Sequence, residues 1–140
     1  MNGNSFIKFI LRSPFHGMMS TSTMLITVTG TKTGRVITTP VNYYQEGTTL
    51  WVLTNRDRKW WRNVKKSAEV LLLLRRKEVH AVAEAILDEA VVAAQIGEYV
   101  LHIPLSAKSL GIRLERGAPD ASDLVRAAQD RLMVQVKLLA

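Results

Sequence analysis

Residues 24–40 read MLITVTGTKTGRVITTP, and their reading decides the fold. Met24-Leu25-Ile26-Thr27-Val28-Thr29 is rich in apolar and β-branched residues and stops at Gly30. Strand character resumes at Arg35 and runs through Val36, Ile37, Thr38, Thr39, Val41 and Tyr43 to Tyr44. Gly30-Thr31-Lys32-Thr33-Gly34 joins the two runs, so the stretch predicts a hairpin loop. A bare turn accounts for the glycines, which reach backbone conformations that other residues resist. It does not account for Thr31, Lys32, Thr33 and Arg35. Their cations and hydroxyls are groups that, with the backbone N–H donors of such a turn, converge on an anion.

Working outward, Glu46-Gly47 marks a turn and Leu50-Trp51-Val52-Leu53-Thr54 a third strand of a β-meander. Residues 57–67 have no β pattern and predict a short helix, with Trp60, Trp61 and Val64 on one face. Glu69–Leu74 and Glu78–Ile86 predict two strands joined at Arg75-Arg76-Lys77. In the second, Val79, Ala81, Ala83 and Ala85 face one way, and His80, Val82 and Glu84 the other. The four leucines 71–74 suit a strand covered on both faces. A helix is expected from Asp88 to Leu101, ended by Pro104, and another starting around Pro119–Asp123. Arg131–Leu138 alternates again as the last strand. About six strands with a few helices predict a mainly β (α+β) chain folded as a small antiparallel barrel, whose C-terminal strand removes an exposed edge.

At 140 residues, with no repeat, low-complexity tract or linker, residues 1–140 are expected to form one domain. No apolar run reaches the span of a bilayer. The absence of cysteine excludes disulfides, thiolate metal sites and cysteine nucleophiles, and fits a cytoplasmic protein. Residues 1–13, with Phe6, Ile7, Phe9, Ile10 and Leu11 beside Lys8 and Arg12, predict an amphipathic helix. It either packs on the core or docks on a membrane surface or a partner. His16, His80 and His102 have no metal-ligand spacing, so no metal is expected.

No nucleophile elbow, P-loop, dinucleotide-binding glycine pattern or paired carboxylate is present, so enzymatic reactivity would come from a cofactor. Net charge is +7 and favours anionic partners. Much of it sits in Arg56, Arg58, Lys59, Arg62, Lys65 and Lys66, opposed there only by Asp57. In a meander, the turn after the first strand and the end of the third can be neighbours. Together they offer cations for a phosphate, and Trp60-Trp61 a flat wall for a ring. A core-packed tryptophan beside a solvated basic face is the plainer reading of the same residues.

Two motifs resemble the split-barrel flavin and deazaflavin oxidoreductases, most closely the deazaflavin-dependent nitroreductase family. One is Gly30-Thr31-Lys32-Thr33-Gly34 followed by Thr38-Thr39-Pro40. The other is Thr54-Asn55-Arg56, then Trp60-Trp61-Arg62-Asn63-Val64, then Ser67-Ala68-Glu69-Val70. The resemblance covers most of the chain. It implies an FMN-binding split-barrel fold, with no catalytic side chain of its own and a phosphate-bearing redox cofactor in a groove. Lys32, Thr33 and Arg35 would meet the phosphate. Thr39, Pro40 and Val41 would line the ring, with Leu53, Thr54, Asn55 and Arg56 on the neighbouring strand end. Lys59, Trp60 and Trp61 would close the site.

The implied cofactor is the 8-hydroxy-5-deazaflavin coenzyme (F-420), with FMN as the alternative. The implied activity is hydride transfer to a small organic acceptor, in a protein expected to pair as a homodimer. The chain departs from the family at Thr31, where a basic residue is usual, and at Ile37, where Arg is usual. It also has no tyrosine after Tyr99, where nitroreductase members carry pocket-shaping tyrosines. A non-catalytic protein that binds a flavin, deazaflavin or tetrapyrrole is the alternative. Nucleic-acid binding rests on charge and the Trp pair alone, and no nucleic-acid partner is expected.

Overall fold

The structure, a computed structural model, describes residues 22–139. The helix expected over residues 1–13 lies outside these residues. The meander consists of β1 (Thr23–Thr29), β2 (Val36–Glu46) and β3 (Thr49–Asn55). A 3₁₀ helix (Trp60–Val64) leads to the hairpin of β4 (Ala68–Leu74) and β5 (Lys77–Ile86). Then come α1 (Glu89–His102), α2 (Ser106–Leu110), a small hairpin of β6 (Leu114–Glu115) and β7 (Ala118–Pro119), α3 (Ala121–Asp130) and β8 (Arg131–Leu138).

Six strands close into a barrel in the order β1-β2-β3-β8-β5-β4, every neighbour antiparallel. β8 lies between β3 and β5, so the C-terminal strand has both edges paired. Closure also needs β1 against β4, where pairing is limited to Leu25↔Leu73, Ile26↔Leu72 and Thr27↔Leu71. Alternation sends Met24, Ile26 and Val28 inward with Val41, Tyr43, Leu50, Val52, Leu72, Val134 and Val136, all buried. Full burial of one such aliphatic side chain stabilises the fold by roughly 1.5–3 kcal/mol. Ala81, Ala83 and Ala85 are buried along β5 as the alternation predicts.

On the outside, α1 and α3 cover β8 through Met133, Val92, Ile96, Tyr99, Ala127 and Ala128. A Cβ added to Gly97 would stand 3.3 Å from Leu124 Cδ1, so glycine lets these helices approach. Asp88 caps α1 by accepting from the N–H groups of Ala90 and Val91, and Asp120 caps α3 by accepting from Asp123 N–H. The nearly buried Asp123 carboxylate accepts from Arg113 Nε at 2.9 Å and from Arg113 N–H at 3.0 Å. These bonds, with Arg126 3.2 Å from its other oxygen, hold the carboxyl below its usual range.

The differences from expectation are short elements. The short helix expected over residues 57–67 is a 3₁₀ helix confined to Trp60–Val64, and α2 and the β6–β7 hairpin are additional. Five residues or fewer carry too little periodicity to register in sequence. Pro104 and Gly111 bracket α2, and Gly111 ends it in a left-handed conformation (φ 70°).

Candidate functional site

The path of β2 opens the site. From Val36 to Val41 this strand pairs with β1 alone, and its pairing with β3 begins at Asn42↔Leu53. Beyond that pair the two strands part, because β3 continues along β8 as far as Asn55↔Arg131. Pro40 sits at the parting. It has no N–H to donate, so it fits where β2 has left its neighbour and would break a ladder elsewhere.

The parting is a groove of about 270 Å³. Its floor is Pro40, Val41, Asn42, Leu53, Thr54 and Asn55, and Tyr99, Ser106, Ser109 and Leu110 form the opposite wall. Arg58, Trp60 and Arg131 complete it. Two hydrogen bonds fix the basic loop across the opening. Arg58 Nη2 donates to Thr39 Oγ1 at 3.0 Å, and Trp60 Nε1 donates to Thr54 Oγ1 at 3.2 Å. Burial raises the Tyr99 phenol to about 12, so it stays protonated at neutral pH.

The 30–34 turn is tied to the same loop. Asn63 Oδ1 accepts from Thr31 N–H at 3.2 Å, while its amide nitrogen donates to Trp60 O at 3.1 Å. Gly34 N–H bonds Gly30 O at 2.9 Å, and Gly34 has φ 71°, which favours glycine. Thr33 Oγ1 accepts from Arg35 N–H at 3.2 Å. The N–H groups of Lys32 and Thr33 bond no described residue. Lys32, Arg35, Arg58, Lys59, Lys65 and Lys66 form no salt bridge among the described residues; the ion pairs there join Arg113 and Arg126 to Asp120 and Asp123. The turn and loop therefore carry uncompensated positive charge.

Of the residues singled out in sequence, Pro40, Val41, Leu53, Thr54, Asn55 and Trp60 come together in the groove, with Thr39 held behind it by Arg58. Lys32, Thr33 and Arg35 stand at the far end of β2, and Lys59 is exposed in the loop. Trp61 is buried, with the Arg62 guanidinium 5.8 Å and the Lys65 ammonium 5.7 Å from its ring centroid. Arg56 turns away from the groove. Its Nε donates to the carbonyls of Ala128 (3.2 Å) and Arg131 (2.9 Å), and its Nη2 to that of Leu87 (3.0 Å). Asn42, Arg58, Tyr99, Ser106, Ser109, Leu110 and Arg131 line the groove without having been singled out. Arg58 alone left a signal, as part of the basic cluster.

A sequence profile of the F420H(2)-dependent quinone reductases matches residues 14–96, more than half of the chain. The chain belongs to that family. Its fold is shared with general stress protein 26 from Bacillus anthracis, at 16% identity over 99% of this chain and 90% of that one, TM-score 0.52. An F420 reductase gives 18% identity over 87% of this chain and 89% of its own, TM-score 0.50. A general stress FMN/FAD binding protein from Xanthomonas citri gives 14%, 96% and 83%, TM-score 0.51. No curated protein matches. At these identities the solved structures speak for the fold: this member of the quinone reductase family is a split barrel of the flavin-binding type.

Proposed function

We propose that this protein is a deazaflavin-dependent oxidoreductase that transfers hydride between the 8-hydroxy-5-deazaflavin coenzyme and a small organic acceptor of the quinone class. The parting of β2 from β3 at Asn42↔Leu53, floored by Pro40 and bridged by Arg58, is the observation that carries it. The residues fit a flat ring joined to a phosphate. From Arg35 to Pro40 an extended strand covers about 17 Å at ~3.4 Å per residue. That separates a cationic turn from a groove by a distance suited to a ring and its sugar-alcohol phosphate.

In this reading Lys32, Arg35 and the N–H groups of Lys32 and Thr33 hold the phosphate. Pro40, Val41, Leu53, Thr54 and Trp60 bound the ring, with Arg58 and Asn55 at its polar edge. When bound, the deazaflavin supplies the hydride chemistry. The chain's part is to orient the ring against the Tyr99 and Leu110 wall and to exclude water. The protein is proposed to act as one domain, in the cytoplasm and as a homodimer. Among the described residues no helix is long and apolar enough to cross a membrane.

Fluorescence titration of the purified protein with oxidised deazaflavin coenzyme and with FMN tests the reading. Micromolar or tighter deazaflavin binding is expected, followed by oxidation of the reduced coenzyme when a soluble quinone is added. Preference for FMN would move the chain to flavin chemistry, and binding of neither would sink the proposal.

A further inference from the structure

On the other side of the link between α1 and α2 lies a second cleft, of about 460 Å³. It shares no lining residue with the groove. Its walls include Tyr43, Tyr44, Gln45, Arg75, His102 and Leu105. Its size is within the range of small-molecule sites.

Arg75 and Arg76 form the two-residue turn between β4 and β5, with φ 49° and 67°. Such a turn ordinarily uses Asn, Asp or Gly, which reach positive φ with less strain. The hairpin itself does not call for arginine there. Arg75 is held in place: its Nη2 donates to Gln45 Oε1 at 2.8 Å, and the Gln45 amide nitrogen donates to Gly47 O at 2.9 Å. No carboxylate among the described residues pairs with this guanidinium, so its other N–H groups are free for a planar anion.

Tyr43 is fully buried, and its hydroxyl has no hydrogen-bond partner. Burial raises its phenol, and the Arg75 charge pulls the other way, which places the two groups within electrostatic reach. The hydroxyl is sealed from solvent, so Tyr43 backs the cleft while Arg75 supplies its polar contact. The remaining wall is aromatic and apolar. His102 stacks on Tyr44 with ring centroids 4.4 Å apart, and Leu105 is 91% exposed at the rim.

We infer that this cleft binds a small organic carboxylate with a flat or apolar body. Arg75 takes the carboxylate, and the Tyr44–His102 stack and Leu105 cover the body. The inference does not rest on the cofactor reading, since it uses other residues and needs no cofactor.

Benzoate is the probe and benzyl alcohol its neutral control, titrated into the full chain and followed by ¹H–¹⁵N NMR. Expected are saturable benzoate shifts centred on Gln45, Arg75 and His102, and none from benzyl alcohol. Arg75→Gln should weaken benzoate about tenfold or more, as for loss of a charge-assisted pair. Lys32→Ala should have no effect. Benzoate binding that persists unchanged in Arg75→Gln, that moves the 30–34 turn instead, or that is absent would each overturn the inference.

Discussion

Arg58 Nη2 donates to Thr39 Oγ1 at 3.0 Å, joining the basic loop to β2 across the opening between β2 and β3. Thr39 is 6% exposed and Arg58 is exposed, so one end of this bond is fixed by the barrel and the other faces the groove. The bond aims a cation with no carboxylate partner at the place where a ring would lie.

Arg58→Ala should therefore weaken deazaflavin binding by about 1.5–3 kcal/mol, the range for hydrogen bonds to charged groups. Arg58→Lys keeps the charge but loses the planar fork, and should recover only part of it. Titration of both variants against the parent decides this. Parent-like affinity in Arg58→Ala would remove Arg58 from the site.

For the turn, Lys32→Ala should lose on the order of 1–3 kcal/mol of cofactor affinity. The loss should be smaller for a ligand lacking the phosphate, because the deleted contact is then absent in both proteins. Equal losses for both ligands would place Lys32 away from the phosphate. Rising salt should weaken binding only mildly, unlike the steep dependence of nucleic-acid contacts.

Trp60 combines core and site. Trp60→Phe keeps most of the packing but strips Thr54 Oγ1 of its donor, so stability should fall by about 1–2 kcal/mol. Trp60→Ala should cost about 3–5 kcal/mol as a large-to-small change in a buried site. Denaturant melts of the two variants give both numbers, and a stable, fully folded Trp60→Ala would show the indole to be wall rather than core.

Arg56 offers a contrast. Its three carbonyl contacts tie the β3–loop junction to α3, β8 and the end of β5. Arg56→Ala should lower stability by about 1–3 kcal/mol while leaving the cofactor affinity of the folded protein close to the parent's. A variant that melts like the parent but fails to bind would return Arg56 to the groove.

Alkali should unfold the protein through its buried phenols. Burial raises Tyr44 and Tyr99 to about 12, above the ordinary value of 10. The folded state then holds protons that the unfolded state releases. The stabilisation is complete below pH 10 and lost progressively as pH rises from 10 towards 12. In Tyr99→Phe the melting temperature should fall less steeply across that window; a slope equal to the parent's would exclude Tyr99 as a source of the alkaline loss.

Much of the barrel was legible because its signals are local. The alternation of Val79, Ala81, Ala83 and Ala85, the glycines of the 30–34 turn and Asp88 at the head of α1 each act within a few residues. Trp60, Trp61 and Val64 were rightly read as one face, and all three are buried. Short elements were less legible. α2 supplies a wall of the groove from five residues, and its apolar members Ala107 and Leu110 make no pattern until a barrel stands beside them.

By itself, then, the sequence determined the six barrel strands along the chain, the hairpin that carries Lys32 and Arg35, and the basic loop with its tryptophans. Side-chain alternation and turn chemistry depend on near neighbours alone. Only the tertiary structure decided that β2 leaves β3 at Asn42, that Arg58 meets Thr39, and that Arg56 is spent on the carbonyls of Leu87, Ala128 and Arg131. Those contacts join residues 19 to 75 positions apart. They form only where closure of the barrel through β8 brings distant strands together, and which of several similar arginines points at the groove follows from that closure.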